Sequence, residues 1–310
     1  MMAQMANDDA MSVTPKYLIG RVTKLTGLSI DVVRVWERRY GAVRPVRSGG
    51  GTRLYSDADI HRLKRLKKAV ACGHSISQAS RLTEPELDEL IAGAAPALEA
   101  SDPYKAVRER FIEAVMNMDL VNADHELARA ASLFSVGALV KKVISPSFDE
   151  IRTRRMRNEL GVAHEKFALG LANRLLGTLF RIYAPSVNSK TILVATPAGE
   201  RDELGILLAA LLAAAQGWHV VYLGADLPGD EIVLATRLTK ARVLLLNITT
   251  DLPGIADELA LLSRLAPVAT RIWITGAGVE HYKGVITRAN WVLMRDLEEL
   301  DECLVKQSEV

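Results

Sequence analysis

Between residues 17 and 70 the apolar positions follow a helical period that glycine breaks twice. Ile19, Val22 and Leu25 share one helical face, and Gly27 ends that helix because a residue tolerant of positive φ closes it at little cost. Ser29 offers an N-cap hydroxyl to a second helix, and Asp31 sets a carboxylate near its positive end. Val33, Trp36 and Tyr40 then recur at helical spacing and face inward. Arg34 and Arg38, four residues apart on a different face, are left free to meet phosphate or base edges. Gly41 closes the helix. From Arg44 to Tyr55 the pattern is that of two short strands joined by Gly49, Gly50 and Gly51, a wing whose arms carry Arg47, Arg53 and Tyr55. Ser56 caps the next helix with Asp59 in capping-box position, and Ile60, Leu63, Leu66 and Val70 form its buried face.

Thr83 and Glu86 make a second capping box, opening a short helix to about Ala92, and the Ala/Pro/Ser stretch 93–103 reads as a linker. The pattern over 104–184 is helical throughout, with breaks near Asp119, Ser135 and Gly161, which predicts a bundle of about four helices. After Pro185 the texture changes. Short β-rich runs at 191–195, 219–223, 243–248, 272–275 and 291–294 alternate with helices beginning near Asp202, Pro228, Pro253 and Asp296, apart from a loop-rich link around 279–288. That alternation predicts a parallel, doubly wound, flavodoxin-like sheet, whose ligands lie beyond the carboxyl ends of the strands. The loops 196–201, 224–227, 249–251 and 276–278 are therefore the candidate pocket. The expected organisation is a disordered start (1–13), a winged helix-turn-helix (14–92), the linker (93–103), the four-helix bundle (104–184) and an α/β domain (185–310).

Composition narrows this only a little. With 310 residues, 49% of them apolar and 5% aromatic, the chain has room for two or three compact units. No apolar run is long and uncharged enough to span a membrane, the best stretch (206–215) being far too short, and the Met-rich opening lacks a signal-peptide core. Cys72 and Cys303 stand isolated, without metal-ligand spacing or a disulfide framework, which fits a reducing cytoplasm. Charge changes the picture more. Residues 12–82 hold 15 Lys plus Arg against 4 Asp plus Glu, a net of +11, while the whole chain is only +2, so the rest carries −9. A basic head on an acidic body is the electrostatic footprint of a phosphate-binding module. Arg62, Lys64, Arg65, Lys67 and Lys68 alone would be explained by a solvated helix face, but the wing would not.

Some sixty residues from Tyr17 to Ile76 resemble the winged-helix DNA-binding domain of the MerR family of transcription regulators. The resemblance is carried by Tyr17-Leu18-Ile19-Gly20, Thr26-Gly27-Leu28-Ser29, Val33-Arg34-Val35-Trp36-Glu37-Arg38-Arg39-Tyr40, Arg53-Leu54-Tyr55-Ser56, Asp59 and Gly73-His74-Ser75-Ile76. It implies that the second helix enters the major groove and that the wing arginine and tyrosine touch backbone, so Arg34, Arg38, Arg53 and Tyr55 carry over, with Arg47 beside them.

The order winged helix, helical bundle, flavodoxin-like sheet resembles the cobalamin-binding members of that family, including light-sensing adenosylcobalamin-dependent repressors. There the loop after the first sheet strand reads Glu-x-His-x-x-Gly and its His reaches cobalt. Here the loop is Gly199-Glu200-Arg201-Asp202-Glu203-Leu204-Gly205, with Asp202 at the His position. A carboxylate does not replace imidazole as a neutral nitrogen donor. The Trp, Glu and His that cover the upper corrin face in those relatives align with Arg155, Glu165 and Lys166, so only the Glu is kept. Asn247 stands where a small Ser ends the third strand, and the Gly-Gly after the fourth is Gly276-Ala277-Gly278.

The resulting expectation is a cytoplasmic, non-enzymatic regulator that binds double-stranded promoter DNA as a dimer or higher homo-oligomer, with a regulatory protein or RNA polymerase as further candidate partners. Its C-terminal region would serve oligomerisation, protein contact or another signal, with no cofactor assigned. The alternative is a light-sensing repressor that holds cobalamin without the usual His. Arg201, Arg155 and Lys166 form either a basic cleft for an anion or, as the favoured reading, ion pairs with Glu165, Glu200 and Asp202. His164 is a tetrapyrrole ligand or, by the favoured reading, a polar surface residue, and Asp226, Thr249 and Asp251 are ordinary loop and cap residues.

Overall fold

The computed structural model describes residues 14–72, 74–92, 102–183, 189–249, 251, 253–284 and 291–308. The expected disordered start and most of the expected linker lie outside these residues. The chain divides into two compact units, the first made of residues 1–111 with 121–135 and the second of 112–120 with 136–310. The helices expected over 104–184 are thus shared between the two.

The first unit opens with α1 (Ile19–Thr26) and α2 (Ile30–Tyr40), which end on Gly27 and Gly41, both at positive φ (65° and 61°). Ser29 accepts the Val32 N–H at 3.2 Å as the N-cap of α2. Strands β1 (Val46–Arg47) and β2 (Arg53–Leu54) pair antiparallel as the wing, and α3 (Asp57–Ala71) follows from a capping box in which Ser56 and Asp59 satisfy each other. Short α4 (Ile76–Ala79) and α5 (Glu84–Ala92) complete the head. Val22, Val33, Trp36, Tyr55, Leu63, Leu66 and Val70 are sealed from solvent in one core. From α6 (Pro103–Met116) and α7 (Leu120–Leu133), the parts up to Phe111 and from Val121 belong to this unit, and Leu133 packs against the head core.

In the second unit α8 (Val136–Ala138) runs through a π-helical turn, Leu139–Ile144, into α9 (Ser145–Met156), and α10 (Val162–Phe180) follows. Pro146 has no N–H to donate, and the helix widens just before it, with Ser145 N–H reaching back to the Val140 carbonyl. Then β3 (Thr191–Pro197), α11 (Glu203–Ala215), β4 (His219–Leu227), α12 (Gly229–Thr239), β5 (Val243–Asn247), α13 (Ile255–Leu265), β6 (Arg271–Thr275), a 3-10 turn (Ala277–Tyr282), β7 (Val292–Met294) and α14 (Leu297–Ser308) alternate as the sequence predicts. The five strands are parallel in the order β4-β3-β5-β6-β7, the flavodoxin-like order in which the crossover direction reverses beside the first strand. Central β5 is buried along its whole length, which is why it reads as a continuous apolar run rather than an alternating one. Helix α11 packs with α14, and α12 with α13. Residues 285–288 of the expected loop-rich link lie outside the described residues. No helix among the described residues is long and apolar enough to cross a membrane.

Candidate functional site

Helix α2 keeps Val32, Val33 and Trp36 in the head core, so its opposite face must carry Arg34, Arg38 and Arg39, all three exposed. The wing adds Arg47 and Arg53, which stand directly opposite each other across β1 and β2. Two like charges in that position repel, so each needs a partner. Arg47 is exposed and donates to the Gly51 carbonyl at 3.4 Å. Arg53 donates through Nε to Glu37 Oε1 at 2.8 Å, which raises its guanidinium above the usual range. Tyr55, expected at the DNA backbone, is instead wholly buried, and its hydroxyl donates to Glu37 Oε2 at 3.1 Å. Burial, with the Glu37 charge beside it, pushes the phenol well above its ordinary pKa.

Glu37 is therefore the residue that joins α2 and the wing. It was not among the residues singled out from the sequence, where it stands only inside a longer motif. An acidic residue kept within a run of arginines, on the helix face nearest the wing, was the available signal. Among the basic residues of α3, Arg62 donates to the carbonyls of Ala42, Ser80 and Leu82 and pairs with Glu84, while Lys67 donates to the carbonyls of Thr26 and Gly27. These two hold the head together. Lys64 and Lys68 are exposed.

The carboxyl edge of the sheet is built around buried Glu200. Its carboxylate accepts the Asp202 N–H at 2.9 Å and both the N–H and hydroxyl of Thr249 at 2.6 and 2.9 Å. The Glu200 carbonyl accepts the Thr196 hydroxyl and the Asp226 N–H. Asp226, at a φ of 62°, accepts from Gly199 N–H and Arg201 Nε, which hold its carboxyl below the usual range. Arg201 is thus paired, as favoured, though with Asp226.

Asp202 precedes α11 and accepts from Arg152 Nη2 at 3.0 Å. Glu165 receives Arg155 at 2.7 Å and Arg152 at 4.0 Å, so Arg152, which was not singled out from the sequence, links Asp202 to Glu165, and Arg155 joins them at Glu165. Lys166 is exposed. His164 Nδ1 accepts the Gly161 N–H at 3.1 Å and serves as a cap for α10. Asn247 is buried at the end of β5, with its Nδ2 lacking a hydrogen-bond partner. A Cβ on Gly205 would stand 2.7 Å from that Nδ2, and one on Gly276 would stand 2.3 Å from the Ile248 carbonyl oxygen. Asn247 and Gly276 therefore occupy the strand ends in close contact.

Comparison with known proteins agrees with both parts. Residues 17–85 match the family model described as MerR HTH family regulatory protein. The HTH-type transcriptional repressor CarH of Myxococcus xanthus is 25% identical over 277 residues, covering 88% of this chain and 92% of that protein. The repressor CarA of the same organism is 29% identical over 216 residues, 69% of this chain and 70% of CarA. Among solved structures, the monomethylamine corrinoid protein of Methanosarcina barkeri aligns with a TM-score of 0.52 at 15% identity, over 66% of this chain and 99% of that one, a likeness of fold.

Proposed function

Since residues 17–85 are a MerR-type helix-turn-helix domain on a chain similar over most of its length to two repressors, we propose that this protein is a transcriptional regulator that binds promoter DNA as a homo-oligomer. Helix α2 enters the major groove with Arg34 and Arg38, and the wing lays Arg47 and Arg53 on the phosphates. Tyr55 acts from beneath, through Glu37. One observation carries the reading: five arginines, three exposed on α2 and two opposed across the wing, gather on the head, and a single carboxylate joins its two elements. A palindromic operator needs two such heads, so self-association follows from the binding mode. In a salt-titrated gel shift, Arg34→Ala should weaken binding across sequences and lower the log–log salt slope by about 0.9 for each phosphate that is no longer neutralised. Binding that is unchanged by the substitution would remove Arg34 from the interface.

The sheet unit, in this reading, works without cobalamin and serves oligomerisation, protein contact or another signal. The donor set supports this, because Asp202 offers a carboxylate already engaged by Arg152, Glu165 is engaged by two arginines, and Asn247 fills the end of β5. The fold likeness to a corrinoid protein favours the second reading, a light-sensing repressor that holds cobalamin without a His donor. Purification with adenosylcobalamin, followed by a visible spectrum, separates the two: a retained corrin band selects the second.

A further inference from the structure

A cavity of about 570 Å³ lies in the second unit between the end of α13 and α14, away from the carboxyl edge of the sheet. Strand register opens it. β7 begins at Val292, opposite Trp273, so among the described residues Arg271 and Ile272 at the start of β6 have a strand beside them only on the β5 side. The volume is that of a small-molecule site, ordinarily about 300–1,000 Å³. Much of its wall is apolar, with Ile272, Trp291 and Val292 from the sheet and Leu262 and Ala266 from α13. Val292 is 41% exposed and Trp291 half-buried, so water stands against apolar surface that a ligand would cover. The polar end is cationic. Arg271 is exposed, and its Nη1 donates to Gln307 Oε1 at 2.8 Å, a neutral partner that leaves the charge uncompensated. The Arg271 N–H donates to the Arg242 carbonyl at 3.0 Å, which sets a second exposed arginine at the neighbouring strand end. No acidic side chain is among the described residues that line the cavity, and Glu302 on α14 faces Lys306 at 3.7 Å. Cys303, on the α14 wall, feels both features of the site: burial raises its thiol above the usual range, and the Lys306 and Arg271 charges counter this. A wholly apolar molecule would leave the guanidinium without an anion, and an inorganic anion would leave the walls wet. A molecule with one carboxylate on an apolar body answers both.

We propose that the cavity between α13 and α14 binds a small organic acid, its carboxylate on the Arg271 guanidinium and its apolar or aromatic body along Ile272, Trp291 and Val292. This rests on the reading of the sheet unit as the receiver of a signal other than cobalamin, and gives that signal a chemical class. The site stands at the amino end of β6 and is distinct from the group around Glu200 at the carboxyl edge.

The full-length protein, without DNA, is titrated calorimetrically with cinnamate and with its neutral analogue cinnamamide. Saturable binding of the acid is expected, at least about fivefold tighter than that of the amide. Arg271→Gln, a change at an exposed position, should weaken the acid about five- to tenfold and bring it level with the amide. Arg201→Gln, at the carboxyl edge, should bind the acid as the unaltered protein does. Absence of saturable binding, equal affinity for acid and amide, or undiminished acid binding by Arg271→Gln overturns the proposal, as does loss of binding in Arg201→Gln. Because no DNA or corrin is present, these outcomes are independent of the gel shift that tests the regulator reading and of the visible spectrum that tests cobalamin.

Discussion

Glu37 accepts a hydrogen bond from Arg53 at 2.8 Å across sixteen residues of chain, so one carboxylate ties α2 to the wing. Its effect on DNA binding has a sign that distinguishes positioning from charge. Removing an acidic residue makes the head more basic, and electrostatics alone would then tighten binding. If Glu37 positions Arg53 and Tyr55, Glu37→Gln loses charge-assisted bonds and the wing loosens, with affinity falling about five- to tenfold. Fluorescence anisotropy with duplex DNA at fixed salt measures this. Tighter binding by the variant would show that the carboxylate is only an unfavourable charge.

Arg62 has a different task from Arg34 although both are basic residues of the head. Its guanidinium spans the carbonyls of Ala42, Ser80 and Leu82 and pairs with Glu84 at 2.6 Å. Arg62→Ala should destabilise the head by about 2–4 kcal/mol, because three acceptors and a carboxylate are left without their donor together. Folded protein should keep its salt slope for DNA. A lowered slope with unchanged stability would reverse the assignment.

The same pair predicts an acid limb. Burial opposes the Glu84 charge, yet hydrogen bonds from Arg65 and Arg62 outweigh it and hold the carboxyl below the ordinary 4.5. A depressed carboxylate stabilises the fold above its unfolded pKa, and that contribution is lost as pH falls through the folded value. Melting between about pH 5 and about pH 3 should fall less steeply for Glu84→Gln than for the unaltered protein. Parallel curves would show that Glu84 is not the group responsible.

Whatever depends on neighbours in sequence was legible there. The two glycine stops, the Ser56 box and the strand-helix alternation after residue 190 all rest on spacings of a few residues, and the structure places them as expected. Glu37 and Arg152 escaped because their partners lie sixteen and fifty residues away, where no periodicity reaches. Tyr55 was misplaced for a related reason. Tyr55 lies just past a two-residue strand, in a bridge with Tyr17 that no local spacing announces, and its ring turns into the head core.

Arg152 joins α9 to the start of α11 through Asp202 and to α10 through Glu165. Its side chain is 40% exposed, so screening limits what the clasp contributes. A double-mutant cycle of Arg152→Ala with Asp202→Ala should give a coupling of about 0.5–1 kcal/mol that shrinks with added salt. Urea unfolding at two salt concentrations reads it. Zero coupling at low salt would mean that the two side chains contribute independently.

Asn247 and Gly205 supply a test whose sign changes with background. A Cβ at Gly205 would come within 2.7 Å of Asn247 Nδ2, and Asn247 Oδ1 is itself only 3.0 Å from where a Cβ on Gly276 would stand. Asn247 is itself buried, so its amide has few directions in which to yield. Gly205→Ala should lower stability by about 1–3 kcal/mol through overpacking, more than the roughly 1 kcal/mol that alanine gains over glycine in a helix. Asn247→Ser shortens the side chain and removes a buried donor that has no partner, so it should cost less than about 1 kcal/mol by itself. With that space opened, the helix preference is unopposed. Gly205→Ala should then raise the stability of the Asn247→Ser protein instead of lowering it. Urea unfolding of the four proteins measures both signs. A loss of equal size in the two backgrounds would show that Gly205 is required for some reason other than Asn247.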